Sequence, residues 1–152
     1  MKVISAYGKD IDDNIMSQAL YMTADAYACY DMLNSDESMH VICALPSMTL
    51  KQFKRKMSST LMILAIDKSK LMGMACISKH KKGIQYLHTV YVSPLHRRAG
   101  IGKALVKRAL KAAKGCGCSI MLDVNPLNSI AISMYKSLGL NFCKEQTVKM
   151  MS

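Results

Sequence analysis

The sequence predicts one α/β domain in which a central mixed sheet carries helices on both faces. Helical patterns and strand-length apolar runs alternate along the chain. Strands joined by short turns imply antiparallel pairs, and strand–helix–strand units imply parallel pairs. The 152 residues are 51% hydrophobic, enough for one complete core and too few for two comfortable domains. Residues 1–152 are therefore interpreted as a single domain.

The first third of the chain predicts one strand and two helices. The segment KVISAY has strand character. Apolar residues then recur at helical intervals from Asp10 to about Leu33, with aspartates near the start, which predicts a long helix. A short helix follows Pro46, because Thr49–Gln52 has the spacing of a capping box, and it runs to about Met57.

Three strands are predicted in the centre of the chain. TLMILAID is a near-continuous apolar run, typical of a strand covered on both faces. KLMGMACISK is the next strand, with Gly73 marking a bulge, and a turn at His80–Gly83 leads into IQYLHTVYV. Strict alternation in this third strand would place five side chains on one face: Ile84, Tyr86, His88, Val90 and Val92.

The last third predicts an amphipathic helix, a strand, a second helix and a final extended segment. The first helix runs from about Gly100 to Lys114, and CSIMLDV follows as a strand. The second helix spans about Asn128 to Leu138 and ends before Gly139. NFCKEQTVKMM is a last strand or a tight hairpin. The predicted element order is β-α-α-β-β-β-α-β-α-β.

The net charge of +11 is distributed unevenly along the chain. Residues 1–40 hold seven acidic residues against two lysines, a net charge of −5, so the remainder carries +16. One part of the molecule therefore suits an anion and another suits a cation. The candidate anions are nucleic acid and a phosphorylated cofactor. Nucleic acid is not expected, because the basic stripe from Lys103 to Lys114 contains no aromatic residue for base stacking.

Composition argues against a membrane span and a metal site. No apolar run approaches the ~20 residues that a spanning helix needs, and the first residues lack a signal-peptide core. Of six cysteines, only Cys116 and Cys118 are closely spaced, and a lone pair lacks the second half of a zinc site. We expect free thiols in a reducing, cytoplasmic compartment, with no metal and no membrane partner.

The segment HRRAGIGKALVKRAL places two arginines and two glycines directly before a helix. The first turn of a helix leaves backbone N–H groups without partners, and the helix dipole favours negative charge there. Gly100 and Gly102 carry no side chain, so an oxyanion can approach this backbone directly. Arg97 and Arg98 add forked donors suited to phosphate oxygens. The segment therefore predicts a diphosphate-binding loop.

Two common phosphate motifs do not fit this loop. A P-loop requires Ser or Thr after its lysine, whereas Ala104 follows Lys103, and it requires a glycine five residues before Gly102. A dinucleotide fingerprint requires a third glycine where Leu105 stands, in a strand–helix–strand unit early in the chain.

The pattern that fits is R/Q-x-x-G-x-G/A, met by Arg97–Gly102 after a strand ending in VYVSP. A second segment, LDVNPLNSIAISMYKSLGL, contains N-x-x-A-x-x-x-Y at Asn128, Ala131 and Tyr135. In both motifs, and in their order, the chain resembles the GNAT superfamily of N-acetyltransferases over roughly residues 86–142. The resemblance implies a GNAT-like fold and an enzyme that transfers an acetyl group from acetyl-CoA to an amine.

The resemblance places acetyl-CoA in a V between two splayed parallel strands, ending at Val92 and Val124. Backbone groups of Val90, Tyr91 and Val92 would hold the pantetheine arm. Asn128 would hydrogen-bond that arm, or it would cap the helix that follows. Arg97 would contact phosphate, and the pyrophosphate would lie on the amides of Arg98, Ala99, Gly100, Ile101, Gly102 and Lys103.

The resemblance also names two candidate catalytic residues. Tyr135 matches the family's tyrosine that protonates the departing sulfur; alternatively it is a core residue, since Ala131, Tyr135 and Leu138 share a helix face. His88 aligns where many relatives carry a glutamate. With an ordinary pKa near ~6.5, a histidine can accept a proton at neutral pH, directly or through water, or it can simply pack.

The residues say least about which amine accepts the acetyl group. A small-molecule primary amine is the favoured reading, a peptide or protein amine is the alternative, and a non-catalytic acyl-CoA-binding module is the rival class. In relatives the first helices wall the acceptor side, so Asp25 and Asp31, with Tyr86, are candidate contacts of a cationic amine. Only ten residues follow Phe142. The family's terminal hairpin is thus either abbreviated, leaving the site open, or completed by a second subunit in a homodimer.

Overall fold

The structure, a computed structural model, describes residues 1–31, 48–143 and 146–151. Its strands form one mixed sheet in the order β1-β2-β3-β4-β5-β7-β6. They are β1 (Lys2–Tyr7), β2 (Leu61–Asp67), β3 (Lys70–Lys81), β4 (Ile84–Val92), β5 (Ser119–Asp123), β6 (Asn141–Cys143) and β7 (Gln146–Met151). The helices are α1 (Asp13–Asp31), α2 (Leu50–Met57), α3 (Ile101–Gly115) and α4 (Ser129–Lys136). The last segment, expected as a strand or a hairpin, is the hairpin of β6 and β7.

The helix starts follow local capping chemistry. The predicted capping box of α2 is present: the Thr49 hydroxyl accepts from the Gln52 amide, and Gln52 Oε1 accepts from the Thr49 amide at 2.8 Å. At the start of α1, Asp12 Oδ1 accepts from the Ile15 amide at 3.0 Å. The predicted continuation of α1 to Leu33, and Pro46, lie outside the described residues.

Helices cover both faces of the sheet, as the sequence predicts. The run Met62–Ala65 in β2 is fully buried, and its side chains alternate between two cores. Met62 and Leu64 pack with apolar residues of α1 and α2, whereas Ile63 and Ala65 pack with α3. We call the first of these the α1/α2 face and the second the α3 face.

The predicted bulge at Gly73 is confirmed. Ala65 pairs with Gly73, whereas the next residue, Ile66, pairs with Leu71, so one residue of β3 is left over. A methyl group on Gly73 would come within 2.8 Å of the Tyr91 carbonyl oxygen. Glycine therefore allows β3 to lie close against β4.

The prediction that five alternate residues of β4 share one face is wrong, because Thr89 has a positive φ of 52°. The β3–β4 register shifts between Cys76, paired with His88, and Met74, paired with Tyr91. This bulge rotates the strand end, so Val90 and Val92 pack on the α3 face. His88 and Tyr91 instead lie opposite Cys76 and Met74, on the α1/α2 face.

Candidate active site

The sheet splits between its two parallel strands. β4 and β5 pair only through Ile84–Tyr86 and Ser119–Met121. Beyond Met121, β5 pairs with β7 on its other side, while the end of β4 pairs with β3. Among the described residues, therefore, no strand lies along the β5 side of residues 87–92. This is the V predicted between the strands ending at Val92 and Val124.

The loop after β4 carries a row of free amides. The first helical bond of α3 runs from the Ala104 amide to the Gly100 carbonyl at 3.0 Å. Within the described chain, no backbone acceptor pairs with the amides of residues 98–103. Gly100 caps the helix at φ 76°, and no atom lies within 4 Å of a methyl group built on it. Arg98, Ala99 and Gly100 are exposed, so the loop tip is open to a ligand.

Arg97 is folded back onto the end of β4. Its Nε donates to the Val92 carbonyl at 3.1 Å, and its guanidinium carbon lies 5.8 Å from the centre of the Tyr91 ring. The terminal nitrogens remain at the exposed surface, on the same loop as the free amides. The Val92 carbonyl thus already accepts one hydrogen bond and keeps a second lone pair, and the contacts of Val90, Tyr91 and Val92 with an extended arm stay predictions.

Tyr135 lies in the core that fills the α3 face. Its side chain is 6% exposed and clusters with Ile101, Val124 and Leu140. Burial raises the pKa of Tyr135 to about 12. The hydroxyl makes no hydrogen bond within the described residues, so it is available as a donor.

The turn between β5 and α4 is built by two asparagines. Asn128 caps α4, its Oδ1 accepting from the Ala131 amide at 3.0 Å, as one of its two predicted roles requires. Asn125, which the sequence reading missed, is buried and accepts from the Leu127 amide at 2.8 Å. A side chain that bonds its own backbone two residues on is typical of turns, and this could have flagged Asn125.

His88 is half-buried on the α1/α2 face, next to the bulge. Its Nδ1 lies 3.2 Å from the Thr89 hydroxyl. Burial, and secondarily the charge of Lys56 on α2, lowers the pKa of His88 below 6.5. Its imidazole is therefore neutral, and able to accept a proton, at neutral pH.

Asp25 ties the acceptor-side helix to the sheet. The buried Tyr91 hydroxyl donates to its Oδ2, so α1 is fixed against β4 next to the loop. The carboxylate is exposed on its other side. The side chain of Asp31, the other acid predicted to meet an amine, lies outside the described residues.

The Tyr86 side chain spans the apex of the split, which is the point where the pairing of β4 with β5 ends, at Tyr86 and Met121. Its hydroxyl donates to Oδ2 of Asp123, the last residue of β5. The sequence reading named Tyr86 but missed Asp123, because the 37 residues between them carry no sign of this contact.

The terminal hairpin is short. β6 has three residues and β7 has six, paired from Asn141 with Met151 to Cys143 with Gln146. Phe142 is 40% exposed. In the described part of the chain, no helix is long and apolar enough to cross a bilayer.

A mixed sheet split between parallel strands, with an open loop of free amides at the mouth of the split, defines the N-acetyltransferase fold class. Residues 19–140 match the Acetyltransferase (GNAT) family, and the chain belongs to this family.

Individual relatives are matched over short segments. Over 53 residues the chain is 36% identical to the L-methionine sulfoximine/L-methionine sulfone acetyltransferase of Salmonella typhimurium, covering 34% of this chain and 31% of that protein. Over 60 residues it is 38% identical to human N-acetyltransferase 8, covering 39% and 26%. The matches thus span about a third or less of these relatives.

The fold is matched over nearly the whole chain. The PaiA N-acetyltransferase of Thermoplasma acidophilum, solved in complex with coenzyme A, superposes with a TM-score of 0.74. The superposition covers 99% of this chain and 97% of the PaiA chain, and the two sequences are 15% identical.

Proposed function

We propose that the protein transfers the acetyl group of acetyl-CoA to a primary amine. The observation that carries this proposal is the row of six free amides at residues 98–103, opening onto the gap beside residues 87–92. Such amides suit a diphosphate, and the unpaired edge of β4 suits an extended amide-bearing arm. Acetyl-CoA contains both groups, and the PaiA structure holds coenzyme A.

His88, on the α1/α2 face of the sheet, and Tyr135, on the α3 face, would act on the substrates from opposite sides. In a ternary complex the amine nitrogen forms a bond to the acetyl carbon as the carbon–sulfur bond breaks. His88 takes the proton that the amine loses, directly or through water. Tyr135 donates its proton to the departing sulfur, so the amide nitrogen and the thiol both leave uncharged. Proton exchange with solvent then removes the proton from His88 and restores that of Tyr135.

The acceptor is proposed to be a small-molecule amine, as the matched Salmonella enzyme's name describes for that protein. The short hairpin supports a second candidate, because a three-residue β6 leaves room for a peptide or protein amine. A homodimer in which a second subunit covers this side is the alternative to an open site. The cytoplasmic location stays a prediction from the cysteine pattern.

Thermal unfolding with and without acetyl-CoA, followed by free-thiol release with a panel of small amines and peptides, tests the proposal. We expect a higher melting temperature with acetyl-CoA and amine-dependent thiol release. Stabilisation without thiol release from any acceptor would instead indicate a non-catalytic acyl-CoA-binding module. Absence of both would contradict the cofactor assignment. Asp25→Asn must raise the acceptor KM if Asp25 meets the amine.

A further inference from the structure

One acidic residue stands alone in the basic part of the chain. Residues 68–144 contain fourteen lysines and arginines and a single acid, Asp123. Its carboxylate is exposed at the end of β5, where the sheet splits. Asp123 is thus the one carboxylate that this basic stretch of sequence offers to a cation.

The position of this carboxylate is fixed from β4. The Tyr86 hydroxyl donates a hydrogen bond to Asp123 Oδ2, which crosses the apex of the split. Tyr86 pairs with Met121, two residues before Asp123, so the two side chains lie on the same face of the sheet. A carboxylate has lone pairs for further donors beyond the one that Tyr86 supplies.

Asp123 and Tyr86 share their face with His88. His88 follows Tyr86 by two residues, a spacing of about 6.6 Å along a strand, and the bulge begins only at Thr89. This is the α1/α2 face, since His88 pairs with Cys76 of that core. The candidate base and the carboxylate therefore lie on the same face of the sheet, on the two strands that flank the split.

The direction of the bound cofactor brings its reactive end to this group. The diphosphate loop follows Val92, at the open end of the split, and the apex lies at Tyr86 and Met121. An arm that starts at the loop and extends along β4 runs toward the apex. Its acyl end would thus lie near His88, Tyr86 and Asp123.

We propose that Asp123 binds the ammonium group of the acceptor and selects cationic amines, with Tyr86 holding its carboxylate in place. This inference rests on the proposed acetyl transfer. The carboxylate concentrates the protonated amine at the apex. The ammonium gives one proton to solvent before it attacks, and His88 takes the second proton as the amide forms. Asp123 is a specificity-determining residue, and Tyr86 is a positioning residue.

Steady-state kinetics of Asp123→Asn with n-butylamine, ethanolamine and L-methionine amide test this role. We expect the acceptor KM to rise about tenfold, as for loss of a charged hydrogen bond, while the acetyl-CoA KM stays within about twofold. Tyr86→Phe keeps the charge of Asp123 and removes the hydrogen bond that holds its carboxylate, so the acceptor KM of this variant should rise less, by about threefold. Asp10→Asn, which removes an exposed acid elsewhere, should match the wild type.

Binding of n-butylamine to the CoA-bound protein, measured by isothermal titration calorimetry, gives a readout independent of turnover. Asp123→Asn should weaken n-butylamine about tenfold and leave the binding of n-butanol unchanged. Unaltered acceptor KM and amine affinity in Asp123→Asn would overturn the proposal, as would an equal rise in the acetyl-CoA KM, or a wild type that binds no amine. Wild-type binding of n-butylamine through Asp123 without thiol release would instead contradict acetyl transfer alone.

Discussion

One physical effect, burial, sets the protonation states of the two candidate catalytic residues. Burial disfavours the charged form of any side chain. In Tyr135 it raises the pKa to about 12, so the hydroxyl keeps its proton until one is needed. In His88 it lowers the pKa, so the imidazole is free of a proton at neutral pH. Each residue is thus held in the protonation state that its proposed role requires.

Tyr135→Phe should separate catalysis from packing. The ring stays in the α3-face core, and the hydroxyl has no hydrogen bond to lose within the described residues. We therefore expect kcat to fall by about 100-fold or more, the usual range for a lost proton donor, with little change in acetyl-CoA KM or melting temperature. Steady-state kinetics and thermal unfolding measure these quantities. Tyr21→Phe, at a tyrosine 76% exposed, is the matched control. Equal losses of kcat and acetyl-CoA affinity would point to a packing role instead.

His88→Gln should remove an acid limb from the pH profile. Because the folded pKa of His88 lies below 6.5, the contribution of His88 to activity should persist at pH 6.5 and be lost only at lower pH, as the imidazole gains its proton. The ratio of wild-type to variant kcat/KM, measured at each pH, cancels the ionisation of the acceptor amine. This ratio should fall toward one as the pH drops through the folded pKa. A pH-independent ratio would contradict the assignment of His88 as base.

The free energy of unfolding of the wild type and of His88→Gln gives a second pH test of His88. A depressed folded pKa means that the unfolded chain binds the proton more readily. The stability that the neutral imidazole contributes is therefore present above 6.5 and is lost as the pH falls through the folded pKa. Denaturant unfolding of the wild type should weaken more between pH 7.5 and 5 than that of His88→Gln. An identical pH dependence in both would show that burial does not shift this residue.

At the scale of elements, the two glycines of the loop have different reasons to be glycine. Gly100 has a φ of 76°, which strains any side chain. Gly102 is helical, and a methyl there would make ordinary contacts with Met134 Sδ at 3.4 Å and Val92 Cγ2 at 3.7 Å. Gly100→Ala should cost about 1–2 kcal/mol, roughly 2–8 °C in melting temperature. Gly102→Ala should fold normally and bind acetyl-CoA more weakly, because its methyl would stand where the diphosphate approaches.

Thermal unfolding and equilibrium acetyl-CoA binding distinguish these two effects. Gly117→Ala is the matched control, since Gly117 has a φ of 66°, open space around it and a position beyond the far end of α3. It should lose stability as Gly100→Ala does, with acetyl-CoA affinity unchanged. Wild-type affinity in Gly102→Ala would mean that the diphosphate does not approach this amide.

Elements governed by neighbouring residues could be predicted from the sequence, and those governed by distant contacts could not. The capping box of α2 and the Asn128 cap of α4 depend on side chains three residues from their partners. The bulge at Thr89 has no such local signal, because threonine has no preference for a positive φ. It follows instead from how β4 pairs with β3, and it overturned the predicted face of Val90 and Val92.

The same distinction separates the cofactor side of the site from the acceptor side. The loop of residues 97–102 is contiguous, so its motif could be read directly. The acceptor side is assembled by hydrogen bonds between residues 66 apart, Asp25 with Tyr91, and 37 apart, Tyr86 with Asp123. Only the fold brings these pairs together, and no spacing in the sequence predicts these two hydrogen bonds.

At the scale of the whole molecule, the uneven charge predicts a salt-dependent affinity. The +16 that lies beyond residue 40 should attract the phosphates of acetyl-CoA, and salt screens this attraction. We expect the acetyl-CoA KM to rise several-fold between 50 and 500 mM NaCl. Lys103 adjoins the free amides, whereas Lys114 lies eleven residues further along α3, about 16 Å away. That separation exceeds the screening length of about 10 Å at 0.1 M salt.

Lys103→Gln should therefore reduce the slope of KM against salt, and Lys114→Gln, which removes the same charge from the same helix, should leave it unchanged. Steady-state KM values across the salt series measure both slopes. Equal reductions in the two variants would mean that the basic stripe acts as one diffuse field on the ligand. A salt-independent wild-type KM would place the diphosphate away from this helix end. The matched pair thus shows at which end of α3 the positive charge acts on acetyl-CoA.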